Sequence, residues 1–193
     1  MSGKRQLQKE QTRKRIIAAA YKVYTEHGFL APTTDIAREA QVSHGTLFAH
    51  FPTVESLIMC LLDNFSHDIG NELHSLSDAG GDVKDLLNLH IGVLIKHEAF
   101  YNRLIKEAIY LPVEAKNTYI AIQSTVSIHF VYVMENEIAA GRIKPIPLHL
   151  LFNTWLGLVH YYLLNGELFA PRESVLTRFK STLIKCYLAL IKQ

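Results

Sequence analysis

The 193 residues suffice for one large domain or two small ones with a proper core, and 49% hydrophobic against 20% charged residues is the balance of a soluble globular chain. Two cysteines far apart, Cys60 and Cys186, exclude a disulfide framework and a cysteine metal cluster and suit a reducing compartment. The net charge of +2 is unevenly spread: Lys4, Arg5, Lys9, Arg13, Lys14 and Arg15 crowd residues 1–15 against the single anion Glu10, so the remainder is net acidic and the start carries an electrostatic footprint for phosphate.

The first helix is expected to begin between Lys9 and Thr12 and to run to Glu26. Its stripe is Ile16, Ala19, Ala20, Val23 and Tyr24 at i, i+3, i+4, i+7, i+8, and Gly28 stops it. Residues 31–52, APTTDIAREAQVSHGTLFAHFP, then read as two short helices joined by a tight turn. Thr33 and Thr34 offer hydroxyls at the start of the first, and Ile36, Ala37 and Ala40 lie along one of its faces. Gln41 and Val42 break the period. Ser43 is placed to cap the second helix, in which Leu47 and Phe51 point inward and leave His44, Gly45, Thr46, Phe48 and His50 outside. A short helix with one apolar edge and a small, polar outer edge fits the major groove of DNA. The three helices predict a small core completed by Phe29, Ile36, Leu47 and Phe51.

At these residues the chain resembles the DNA-binding domain of tetracycline-repressor-type (TetR) transcriptional regulators. The resemblance is carried by Thr33, Thr34, Ile36, Ala37, Ala40, Val42, Ser43, Gly45, Thr46, Leu47, Phe48, Phe51 and Glu55 in order, after a basic helix with Ile17, Ala20 and Gly28, and covers about residues 12–60. Phe48 stands where that family usually has Tyr and Val54 where it usually has Lys, so two phosphate contacts of the family are missing. The resemblance implies a ligand-responsive regulator, expected to be a repressor, that binds a palindromic double-stranded operator as a dimer and is released by a small molecule. His44, Gly45 and Thr46 are expected to approach base edges, and His50 a phosphate or a thymine methyl. The full expected DNA-binding set is Lys4, Arg5, Arg13, Thr33, Thr34, Ser43, His44, Gly45, Thr46, Phe48, His50 and Thr53.

A helix from Thr53 carries Leu57, Ile58, Leu61, Leu62, Phe65, Ile69, Leu73 and Leu76 over about six turns, longer than a three-helix unit needs. It is expected to enter a second domain and act as the lever between the two, dividing the chain into a DNA-binding domain at 1–52 and a ligand-binding and dimerisation domain at 53–193. SDAGGD at 77–82 is the expected loop. Beyond it only helical periods occur. Val83, Leu86, Leu87, Ile91, Leu94 and Ile95 mark one helix, and Leu104, Ile105, Ala108 and Ile109 a shorter one ended by Pro112. A long helix from Glu114 to Ala140 is closed by Gly141; one from Leu148 ends at Gly166; the last runs through Val175, Phe179, Leu183, Tyr187 and Leu190. No convincing period-2 run occurs, so the expected fold class is all-α.

Phe152, Trp155, Tyr161 and Tyr162, with Phe179, Tyr187 and Leu190, give the last two helices the aromatic weight of an oligomer interface, and the resemblance implies a homodimer through them. The middle helices mix polar groups with apolar ones, and the resemblance places there a pocket for a partly apolar effector, with His97, Tyr101, Tyr110, Gln123 and His129 as the expected lining. The pairs His67 with His74 and His90 with His97 lie seven residues apart, about 10 Å along a helix and too far for one ion, so no metal and no cofactor are expected. No catalytic motif occurs, and no enzyme is expected. The basic start has no apolar signal core and Leu150 to Leu164 is too short and too polar for a membrane span, so a cytoplasmic protein is expected. A second reading stays open: an all-helical interaction protein of the same shape with weakened or lost DNA binding.

Overall fold

A computed structural model describes residues 2–79 and 81–193, the side chains of residue 2 and residues 75–79 excepted. Among the described residues the chain is helical with no strand; one isolated antiparallel bridge joins Ile143 to Lys192. The helices are α1 (Ser2–His27), α2 (Thr33–Glu39), α3 (His44–His50), α4 (Val54–Ala79), α5 (Val83–Lys96), α6 (Glu98–Glu107), α7 (Val113–Ala139), α8 (Leu148–Leu164), α9 (Gly166–Phe169) and α10 (Val175–Ile191), with a 3₁₀ turn at Ala108–Tyr110.

Two compact units emerge, one of Met1–Phe65 with Lys106–Tyr119 and the other of Ser66–Ile105 with Ile120–Gln193. Helices α4, α6 and α7 each contribute one part to either unit. Within the first unit the expected stripe of α1 is buried: Ile16, Ala19, Ala20, Val23 and Tyr24 pack with Phe29, Ile36, Leu47 and Phe51, and Leu57, Ile58, Leu61 and Leu62 of α4 complete the core. Helix α1 starts earlier than its amphipathic stripe. Residues 3–11 are exposed, contain no proline and include helix-favouring Lys, Arg, Gln and Glu, with an i, i+4 bond from Gln6 to Glu10 at 2.9 Å.

The break after α1 needs its glycine. Gly28 sits at φ 86°, and the carboxylate of Glu107 occupies the space beside it, 2.5 Å from where a Cβ would stand, while accepting the Phe29 N–H at 2.7 Å. Any side chain here would be strained by its backbone and would displace that carboxylate. In the loop after α4, Ser77, Asp78 and Ala79 are still helical, so the expected loop is shorter at its start; Gly80 lies outside the described residues, as does the side chain of Leu76. Asp82 then opens α5 with a capping box to Asp85.

In the second unit Trp155, Tyr187 and Phe152 are buried inside the protomer, the Trp155 and Tyr187 rings 5.1 Å apart and the Tyr187 hydroxyl donating to Leu151 O at 2.7 Å. These three aromatics are core. What α8 and α10 turn outward is Leu150, Tyr161, Leu164 and Leu190. The start of α10 is held from another helix: Glu98 of α6 accepts the N–H of Val175 at 2.9 Å and of Leu176 at 3.2 Å, and the Ser174 hydroxyl at 2.5 Å. A carboxylate on the orphan donors of a helix start is favoured by both hydrogen bonding and the helix dipole. Glu98→Ala is therefore expected to lower unfolding stability by about 2 kcal/mol, with Glu98→Gln intermediate, as read from urea denaturation midpoints.

Candidate nucleic-acid interface

The turn between α2 and α3 is built by backbone hydrogen bonds. Gln41, at φ 54°, takes the left-handed position after the end of α2; its N–H donates to Arg38 O at 3.1 Å, and Val42 N–H donates to Ala37 O at 3.0 Å. This 5→2 and 6→1 pair is the Schellman arrangement, and it redirects the chain within two residues. Ser43 caps α3 as its sequence position suggests, its hydroxyl accepting the Thr46 N–H at 3.1 Å and lying 2.8 Å from the Thr46 hydroxyl. No side chain caps the start of α2, where Pro32 holds the cap position. Instead the Thr33 hydroxyl reaches across to His44 Nε2 at 2.9 Å and ties the first residues of the two helices together.

Leu47 and Phe51 are buried, so α3 turns its other side outward: His44, Gly45 and Ala49 are exposed, and Thr46, Phe48 and His50 half-exposed. The Phe48 ring lies 4.8 Å from His44 in an edge contact. Ala49 is a surface position that the amphipathic reading passed over; its offset from His44 and Gly45, one helical turn, was the available signal. Thr34 and Thr53 are exposed, and the Thr53 hydroxyl accepts the Ser56 N–H at 3.1 Å at the start of α4.

Of the basic stretch, Lys4, Arg5 and Lys9 are exposed along the first turns of α1. Arg13 is engaged within the unit: its guanidinium lies 4.6 Å over the Phe51 ring and donates to Cys60 Sγ at 3.5 Å, pinning α1 to the corner between α3 and α4. Burial first, then the charges of Lys9 and Arg13, hold the His50 imidazole below its ordinary pKa.

The expected effector residues fall in both units. Tyr110, in the first, is exposed on the 3₁₀ turn. In the second, His97 Nε2 lies 3.2 Å from Asp68 Oδ2, the His129 ring meets His74 edge-on at 5.2 Å, and Gln123 is half-buried. Buried Tyr101 pairs through its hydroxyl with His160 Nε2 at 2.8 Å. Nearby in the same unit the Trp155 indole donates to Nδ1 of buried His90 at 3.2 Å. His160 was visible in the sequence only as a polar interruption of an apolar helix. An open cleft of about 430 Å³ lies between α4 and α5, lined by Asp68, Asn71, Glu72, Val93 and Lys96. Among the described residues no single helix is long and apolar enough to cross a membrane.

Residues 16–58 match the family described as "Bacterial regulatory proteins, tetR family". Over 89 residues the chain is 38% identical to the uncharacterized HTH-type transcriptional regulator YvkB of Bacillus subtilis (strain 168), a match that spans 45% of this chain and 44% of that relative's length. Over 96% of its length it shares the fold of a TetR-family transcriptional regulator from Agrobacterium tumefaciens, all of which is covered, with a TM-score of 0.79 at 18% identity. It covers 97% of FadR from Bacillus subtilis, solved in complex with stearoyl-CoA, and 91% of this chain is matched there, with a TM-score of 0.71 at 17% identity. At these identities the structural likeness is one of fold. The geometry of α2 and α3 and the shared architecture define a helix-turn-helix protein with a second helical unit. Residues 16–58 are thus similar to the DNA-binding part of the tetR family of bacterial regulatory proteins, and the chain as a whole shares the fold of solved members of that family.

Proposed function

We propose that this protein is a ligand-responsive transcriptional repressor that binds a palindromic operator as a homodimer and leaves it when a small molecule binds the second unit. The observation that carries the reading is the outer side of α3, held in place by the Ser43 cap, the Thr33 bond to His44 and the Arg13 clamp on Phe51, beside the exposed cations Lys4, Arg5 and Lys9. A fixed reading helix next to exposed positive charge is what groove recognition with phosphate anchoring requires. The outward Leu150, Tyr161, Leu164 and Leu190 support pairing of two copies through α8 and α10, which would supply two reading helices for two half-sites. Hydrogen-bonded Tyr101 and His160 amid apolar helices, together with the stearoyl-CoA complex of the like-folded FadR, support an effector site in the second unit. Helix α4, common to both units, is the element through which occupancy would reach the DNA-binding unit.

A gel shift with the DNA upstream of the protein's own gene tests the reading. Binding is expected to be specific and to weaken steeply with salt, and a complete lack of shift at low salt would favour the interaction-protein alternative. Val54, half-exposed at the first position of α4, carries no charge toward a backbone phosphate. Val54→Lys is expected to raise affinity and to steepen the salt slope by about one unit for each phosphate it neutralises. Unchanged affinity would show that this position faces away from DNA.

A further inference from the structure

We infer that α3 reads its half-site mainly through thymine methyl groups. This rests on the DNA-binding reading above and adds the chemistry of the operator to it. Bidentate base recognition in the major groove uses Arg, Lys, Asn or Gln, and α3, HGTLFAH, contains none of these and no carboxylate. What its outer side offers beside two imidazoles is a set of apolar groups. Ala49 is exposed and contributes a methyl. Phe48 is half-exposed and contributes a ring edge. Thr46 has its hydroxyl engaged with Ser43 at 2.8 Å, and its side chain also carries a methyl. Alanine, the threonine methyl and phenylalanine are the side-chain groups that pack against the C5-methyl of thymine.

The polar groups on this side are restricted. His44 is held by Thr33 at Nε2 and by the Phe48 edge, which leaves Nδ1 as its possible contact to a base. His50 is half-exposed at the last position of α3, and Gly45 adds no side chain. Discrimination between bases therefore falls on methyl groups that thymine has and cytosine lacks, with phosphate contacts by Lys4, Arg5 and Lys9 supplying affinity without sequence information.

The test begins with selection from a pool of randomised duplexes by the full-length protein, followed by replacement of each thymine of the recovered half-site, one at a time, with deoxyuridine, which lacks only the C5-methyl. At the contacted positions affinity is expected to fall about fourfold per methyl, the value of one apolar carbon removed from water. The Thr46→Ser protein keeps the hydroxyl that pairs with Ser43 and loses only the methyl. It is expected to bind the thymine duplex about fourfold more weakly for each half-site, about sixteenfold for a dimer, and to show no further loss at the uracil position of each half-site that the methyl meets, a coupling that a general structural defect would not produce. If a duplex is enriched but no uracil substitution weakens binding, the methyl readout is wrong while the DNA-binding function stands. If no duplex is enriched at low salt, both are overturned.

Discussion

Thr46→Glu is expected to abolish specific DNA binding, by about a hundredfold or more in affinity, while the circular dichroism and the melting temperature stay at or above the wild-type values. The two halves of that outcome come from the same geometry. Thr46 is the third residue after Ser43, whose hydroxyl already accepts its N–H. A glutamate there makes the Ser-x-x-Glu capping box, and its charge lies near the start of a helix, so local structure is maintained or strengthened. On the half-exposed outer side of α3, however, the same carboxylate meets the negative potential of the groove. Like charge brought together at an interface costs several kcal/mol, and a dimer would present it twice. Normal operator binding by this folded variant would remove α3 from the interface.

The parts of the molecule that were legible beforehand are those whose cause is local. The Ser43 cap, the inward Leu47 and Phe51 and the turn at Gln41 and Val42 lie within a dozen residues and are set by spacing and capping alone. Helix α1 begins before the expected boundary because residues 3–11 have helix propensity but no apolar stripe, and the stripe was the signal used. Gly81 lies outside the helices as expected, yet Ser77, Asp78 and Ala79 do not break a helix that is already formed.

The rest depends on contacts far apart in sequence. Arg13 looks like one more phosphate-seeking cation until Phe51 and Cys60 are found beside it. Glu98 gives no hint, from its place before Phe100, that it will cap a helix 76 residues away. Trp155 and Tyr187 counted toward an interface because α8 is apolar nearly all round, and composition cannot say which side of such a helix meets its own core. The partner of His160 is likewise 59 residues distant, in Tyr101.

Buried His90 and half-buried His160 carry the second large expectation, which is acid sensitivity well above the range where carboxylates titrate. Burial, and then the neighbouring His160, push His90 down to about 4, and burial pushes His160 down to about 4 as well. The indole of Trp155 is a donor only, so its bond to Nδ1 requires that nitrogen to stay unprotonated, which favours neutral His90 further. The unfolded chain takes up protons on these rings below about pH 6.5, whereas the folded protein does not until about pH 4. The unfolded state thus binds more protons in that window, so stability is fully present above it and is lost as pH falls through it. Between pH 7 and pH 5 His90 alone should remove about 2 kcal/mol, a large share of the margin of a small protein, and His160 and the half-buried His129, also lowered by burial and then by His74, act in the same direction. Urea denaturation followed by Trp155 fluorescence at several pH values measures the slope. A His90→Gln, His160→Gln protein is expected to be less stable at pH 7 but to lose much less on going to pH 5. An equally steep loss in that variant would assign the acid sensitivity to other groups and leave the two rings as neutral core residues without a titration role.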